Sequence, residues 1–155
     1  MSNKKQEKKL VEVEDNVVIK RIDNITGEVL EEEKYHNLIV DAGLNRVADL
    51  IGDLSDAGFT FIAIGEGVVA PANGDTALGT EQKREAAIVS KPASNQVKYE
   101  KLFTFGSGES FNITEAGLFD LAVAGTMLNR LTFPAKAVDF NTDLSVIITI
   151  FVTRI

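Results

Sequence analysis

The run Leu144 to Ile155, LSVIITIFVTRI, decides the fold. Leu144, Val146, Ile148, Ile150 and Val152 alternate cleanly and make one apolar face. Ser145, Ile147, Thr149, Phe151, Thr153 and Ile155 make the other, which is half apolar too. A period of two is the mark of a strand, and a strand apolar on both faces wants cover on both sides. That cover comes either from a second layer of the same chain or from another subunit. Ile147, Phe151 and Ile155 are therefore the candidate subunit contact. The longest apolar stretch, Ile147 to Val152, is broken by Thr149 and is far too short to cross a bilayer as a helix.

The segments before it read mostly the same way. NVVIKRID (Asn16 to Asp23) and VLEEEKYHNLIV (Val29 to Val40) are two strands joined across NITGE, with Gly27 placed for the turn. Three consecutive acids in the second arm mark an exposed or edge segment, since edge charges discourage stray pairing. One helix is expected over about residues 42–52. Asp41 can cap it, Leu44, Val47, Ala48 and Ile51 share a face, and Gly52 ends it.

FTFIAIG (Phe59 to Gly65) is a short central strand, and GEGVVAPANGDTALGT (Gly65 to Thr80) is a surface loop with turn chemistry at Asn73–Gly74. Thr80 to Glu85 reads as one helical turn. Ala86 to Ser90 and Asn95 to Phe105 form a hairpin across KPASN, with Val97, Tyr99, Phe103 and Phe105 on one face. Phe111 to Phe119 and Thr126 to Phe133 are further extended pieces. The expectation is mainly β: an antiparallel β-sandwich with one short helix, one domain over residues 15–155, preceded by a basic arm at 1–14.

Composition narrows the functions. At 155 residues the chain suits one domain and can hold a core without staples. It has no cysteine and a single histidine, His36, so disulfides, thiolate metal sites and two-imidazole sites are excluded. The net charge is −7; residues 1–10 carry four lysines and one glutamate, +3, which leaves −7 − 3 = −10 on the rest. An acidic body argues against nucleic acid as a partner, which calls for cations facing phosphates. Lys4, Lys5, Lys8 and Lys9 make the arm a candidate docking segment for an anionic neighbour. The start, MSNKKQEKKL, lacks the apolar core of a secretory signal.

The chemical motifs are thin. GEGVVAPANG has neither the spacing nor the lysine of a phosphate-cradling loop, and Val69 stands where a dinucleotide site needs its third glycine. Asp53, Asp56, Asp75, Asp139 and Asp143 lack the alternation of a calcium loop. Glu81 and Glu115 could pair as acid and base, but Arg84 and Arg130 are at hand as counter-ions. A carboxylate beside an arginine is held ionised, the wrong direction for a general acid. The structural reading makes Glu81, Arg84 and Glu115 a charge network. In it Arg84 bridges the TEQKR turn to Glu115, and Gly117 packs closely beside them.

Several segments, in order, carry a resemblance: TGEV (Thr26 to Val29), HNLIVDAGLNRVADLI (His36 to Ile51), FIAIGEG (Phe61 to Gly67), ALGTEQKR (Ala77 to Arg84), ITEAGLFD (Ile113 to Asp120), GTMLNRLTF and LSVIITIFV. Together they resemble tail-collar fibre, small appendage and head-decoration proteins of tailed bacteriophages, covering roughly residues 16–153. The resemblance implies a non-enzymatic virion structural protein that is assembled in the host cytoplasm. Its partners would be capsid or tail proteins and further copies of itself, a trimer being favoured. From the composition and motifs, no cofactor, metal, nucleic acid or membrane is expected. The resemblance also implies structural rather than catalytic positions for Glu81, Arg84 and Glu115. No shaft or receptor-binding tip follows Ile155 in the sequence, which favours a decoration, collar or adaptor role. The alternative is a small-ligand or carbohydrate-binding β module with its pocket near the Gly65–Thr80 loop, although two tyrosines and no tryptophan leave little for sugar stacking.

Overall fold

The closing apolar run becomes the middle of the sheet, and the rest of the chain is laid out around it. The computed structural model describes residues 11–54 and 57–154. In chain order these form β1 (Val11–Asp23), β2 (Val29–Tyr35), β3 (Leu38–Ile39), α1 (Asp41–Ile51), β4 (Phe61–Gly65) and β5 (Glu81–Ala86). There follow β6 (Ile88–Ser90), β7 (Gln96–Phe103), β8 (Ser110–Phe119), β9 (Met127–Asp139) and β10 (Thr142–Arg154). The chain is mainly β with one short helix, and the strands belong to one antiparallel sheet of ten.

That sheet has two halves. In one, β10 lies between β1, with Val17 opposite Ile148, and β7, with Tyr99 opposite Ile148; β2 and β6 are the flanking edges. In the other, β8 lies between β9 and β4, with β3 beyond β9 and β5 beyond β4. The halves meet through one ladder pair of the β9–β10 hairpin, Asp139 with Thr142. They share a single core: Val17, Ile19, Val146 and Ile148 come from one half, and Ile62, Ile64, Ala116 and Leu118 from the other. Each valine, leucine or isoleucine side chain so removed from water contributes about 1.5–3 kcal/mol. The face Leu144/Val146/Ile148/Ile150 is buried as its alternation predicts, whereas Ile147 and Phe151 lie half-buried on the outward face.

Four local expectations are corrected. Val11–Glu14, assigned to the arm, are strand, because they continue the β1 ladder against Phe151–Arg154. Thr80 to Glu85 is not a helical turn. Glu81–Ala86 is edge strand β5, since pairing with Phe61–Gly65 outweighs the helix propensity of Glu, Lys and Arg. The helix is present, but its sheet-facing stripe is Gly43, Val47 and Leu50, while Leu44 and Ile51 are 48% and 84% exposed. The cause is Gly43, whose missing Cβ would overlap the backbone of Leu128; the helix settles on that point and turns its larger residues outward. Asp41 is the first helical residue rather than the cap, and Val40 at the cap position makes no side-chain bond.

The EEE segment lies in edge strand β2, as its charge suggests, but two of its acids have a partner. Glu31 and Glu33 both reach Lys136 Nζ, at 2.6 and 3.0 Å, and Lys136 is almost wholly buried. Burial alone lowers the Lys136 pKa, and its bonds to the two carboxylates more than reverse this, so it stays charged. On β9 the ladder skips Phe133 to Ala135, the stretch that contains Pro134, whose missing N–H suits an irregularity.

Candidate functional site

Glu115 stands on β8 with its side chain directed out of the shared core, between Thr132 on β9 and Gly65 on β4, and Arg130 lies two residues along β9 opposite Gly117. A carboxylate on an outward face would ordinarily be wet. Here it is 0% exposed, because the Gly65–Thr80 segment folds back over it. Leu78 from that segment joins Val40, Ala63, Phe119 and Met127 in a second, smaller apolar cluster. The segment expected as a plain surface loop is therefore a lid with its own small core.

Every lone-pair direction of Glu115 is used. Oε1 accepts the backbone N–H of Gly67 at 2.8 Å and of Thr80 at 2.7 Å. Oε2 accepts the N–H of Gly79 at 2.8 Å and two N–H bonds from Arg130, at 3.1 and 3.0 Å. Arg130 also donates to the Val69 carbonyl at 2.9 Å and to Asp75 at 2.8 Å, so its fork clamps the lid from within. Thr114 adds a bond to the carbonyl of Gly67 at 2.8 Å. Burial pushes the Glu115 pKa up, but the N–H donors of Thr80, Gly79 and Gly67 together with Arg130 outweigh it. The carboxyl is held below its ordinary 4.5. Asp75 is lowered as well, chiefly by the Ala72 N–H and then by Arg130.

The glycines explain themselves at this point. A Cβ on Gly67 would come 2.5 Å from Oε1 of Glu115, and one on Gly65 would overlap the Thr80 carbonyl. Gly117 cannot carry one without closing to 2.8 Å on the Asn129 carbonyl oxygen. Backbone amides can cradle a carboxylate this tightly only where side chains are absent.

The expected bridge from Arg84 to Glu115 is corrected: Arg130 is the guanidinium partner of Glu115. Arg84 instead grips Glu81 through two bonds, at 2.6 and 2.7 Å, stacks over the Phe119 ring at 3.6 Å, and donates to the carbonyls of Leu121 and Ala124. Arg84 and Glu115 lie on different strands, β5 and β8, with β4 between them. Arg130 is on β9, directly beside β8. Arg84 thus holds the turn after β8, which Arg46 on the helix also holds through Asp120 at 2.9 Å. Lys4, Lys5, Lys8, Lys9 and Ile155 lie outside the described residues.

The sequence reading missed Asp75, the amides of Gly67, Gly79 and Thr80, and a second buried polar group. Asp15 on β1 accepts the Asn37 N–H at 2.7 Å and the Asn129 side chain at 2.9 Å, which ties the two halves of the sheet across the core. Burial raises its pKa above 3.8 in spite of those bonds. The paired GEG and LGT glycines were the signal for the cradle; nothing local marks Asp15, because its partners are far along the chain. A shallow, open depression of about 370 Å³ lies between His36, Asn37, Pro71, Arg130 and Thr132.

Chemically, a carboxylate with no access to water, ionised and bonded at both oxygens, is a strut and not an acid or nucleophile. Comparison with protein-family models, with curated proteins and with solved structures finds no match to this chain in any of the three.

Proposed function

We infer that the protein is a non-enzymatic structural component of a bacteriophage virion, of the tail-fibre, collar or capsid-decoration kind. On this reading it is assembled in the host cytoplasm and acts by binding capsid or tail proteins and copies of itself, with a trimer favoured. One observation carries the reading. The segments on which the phage resemblance rests supply Gly67, Gly79, Thr80, Glu115 and Arg130, and these residues converge on one buried strut. That convergence supports an architectural role for these segments. The strut also holds a lid whose tip, Val68 and Val69, is 78% and 74% exposed. Apolar side chains on a well-tied loop suit contact with another protein, because little order has to be gained on binding.

The test is to probe particles released by the encoding strain with an antibody against this chain, by immuno-electron microscopy and by mass spectrometry of purified particles. Regularly placed label in stoichiometric amount is expected. Particles complete in their other structural proteins but lacking this chain would overturn the reading. Light scattering across a dilution series reads self-association, and Ile147→Lys or Phe151→Lys on the outward face of β10 should weaken it.

The depression beside Pro71 and Arg130 favours a second reading, a small-ligand or carbohydrate-binding module. Its volume falls in the range of small-molecule sites, and the side-chain amide of Asn37 is buried there without a partner among the described residues. Titration of the labelled chain with a panel of mono- and disaccharides, followed by amide shifts at Asn37 and Thr132, decides it.

A further inference from the structure

The helix carries an apolar stripe that faces away from its own sheet. Leu44, Ala48 and Ile51 share this stripe, and Leu54 follows just beyond the helix end. Leu44, Ile51 and Leu54 are 48%, 84% and 79% exposed. A sheet-facing stripe of Gly43, Val47 and Leu50 already anchors the helix, so the outward one is surplus to folding. Its flank is acidic: Asp41, Asp49 and Asp53 enter no ion pair among the described residues. The one cation of the helix, Arg46, is already engaged with Asp120 and the Ala57 carbonyl.

The rest of the chain contains a segment of complementary chemistry. Residues 1–10, MSNKKQEKKL, carry four lysines against one glutamate and end in Leu10. They lead into β1 at Val11, which is 62% exposed. Ten residues reach about 35 Å when extended, far enough to leave one molecule and lie on its neighbour.

We propose that the lysine-rich segment 1–10 of one copy docks on the outward stripe of α1 in another copy. Lys4, Lys5, Lys8 and Lys9 face Asp41, Asp49 and Asp53, and Leu10 meets the Leu44/Ile51 stripe. The contact is an exchange between copies, so each subunit both gives an arm and receives one. Such head-to-tail contacts close into rings when the rotation permits, which accords with the trimer favoured for the structural role. The inference deepens that role and rests on it, while its test needs no virion.

Carbodiimide joins a lysine amine to an aspartate carboxyl with loss of water, and it reports only groups already in contact. One variant carries Lys4→Gln, Lys5→Gln, Lys8→Gln and Lys9→Gln; a second carries Asp41→Asn, Asp49→Asn and Asp53→Asn. All seven positions are polar, and the three aspartates make no ion pair among the described residues, so circular dichroism should show both variants folded. The wild type should give cross-linked dimers and higher species, and each variant alone should give at least fivefold less. Mixing the two should restore the dimer, with the bond mapped between an arm lysine and a helix aspartate. Raising salt to about 1 M, where the screening length is about 3 Å, should suppress it, as should Ile51→Lys. Cross-links confined to single chains, or a mixture no better than its components, overturn the proposal. If arm and helix fail to join but the chain is present in particles, the structural role stands and this contact does not.

Discussion

Replacing Glu115 by Gln keeps the shape of the strut and removes its charge, and the outcome can be worked out bond by bond. In one amide orientation the remaining oxygen keeps Gly67 and Thr80 but turns an NH₂ group toward the Gly79 N–H and two Arg130 donors. In the other it keeps Gly79 and Arg130 and opposes Gly67 and Thr80. Either way at least two buried donors face another donor, and each costs about 1–3 kcal/mol. Arg130 also keeps its charge without the more deeply buried of its two counter-ions, and breaking one side of a buried pair costs about 3–5 kcal/mol. These are overlapping counts of the same damage, so the expected loss is about 3–5 kcal/mol. For a chain of this size that is a fall of about 6–20 °C in Tm. Urea unfolding with the slope unchanged is the cleaner assay.

The pH dependence gives a second reading of the same residue. Because the folded pKa of Glu115 is depressed, its stabilisation is fully present above the unfolded value near 4.5 and is lost as pH falls through the folded value. The gap between wild type and variant should therefore shrink on acidification below about pH 4.5. Double-mutant cycles separate the partners: Glu115→Gln with Arg130→Met should couple by about 0.5–3 kcal/mol, while Glu115→Gln with Arg84→Met should be nearly additive. A Gln variant within about 1 kcal/mol of wild type at neutral pH, or stronger coupling to Arg84 than to Arg130, would refute the reasoning.

Other perturbations read neighbouring parts of the fold. Gly67→Ala places a methyl group against the Glu115 carboxyl and should cost about 1–3 kcal/mol, with faster hydrogen exchange at Gly79 and Thr80 than elsewhere. Gly43→Ala should destabilise although alanine favours a helix by about 1 kcal/mol, because its Cβ meets backbone at Leu128; a more stable variant would show that the helix does not rest there. Asp15 behaves oppositely to Glu115. Burial raises its pKa, so its ionisation disfavours the folded state at neutral pH and that penalty is relieved as pH falls through the raised value. A carbon-13 titration of its carboxyl should show a midpoint above 3.8, and a midpoint at or below that value would contradict the burial.

The sequence by itself determined the strands whose periodicity is long and the turns whose chemistry is strict. Leu144 to Val152 could only be a strand, expected to be covered on both faces and found buried on the first, and Gly27, at φ 75°, could only be in a turn. The single helix and its extent followed from spacing as well. These are local properties, legible because each residue constrains its immediate neighbours. Three other features were decided by tertiary contact: the face on which the helix lies, the conformation of Glu81 to Ala86, and the arginine that pairs with Glu115. Helical spacing pointed to Leu44, Val47, Ala48 and Ile51 as the buried face, and only the close approach of Gly43 to Leu128 turned the helix onto Gly43, Val47 and Leu50 instead. Glu81 to Ala86 has helical propensity that is overridden by a strand more than fifteen residues earlier. Arg84 and Arg130 are equally plausible partners along the chain, being 31 and 15 residues from Glu115. Strand order put Arg130 on the neighbouring strand and left β4 between Glu115 and Arg84. A charge chooses its partner through space, and space is set by which strands pair.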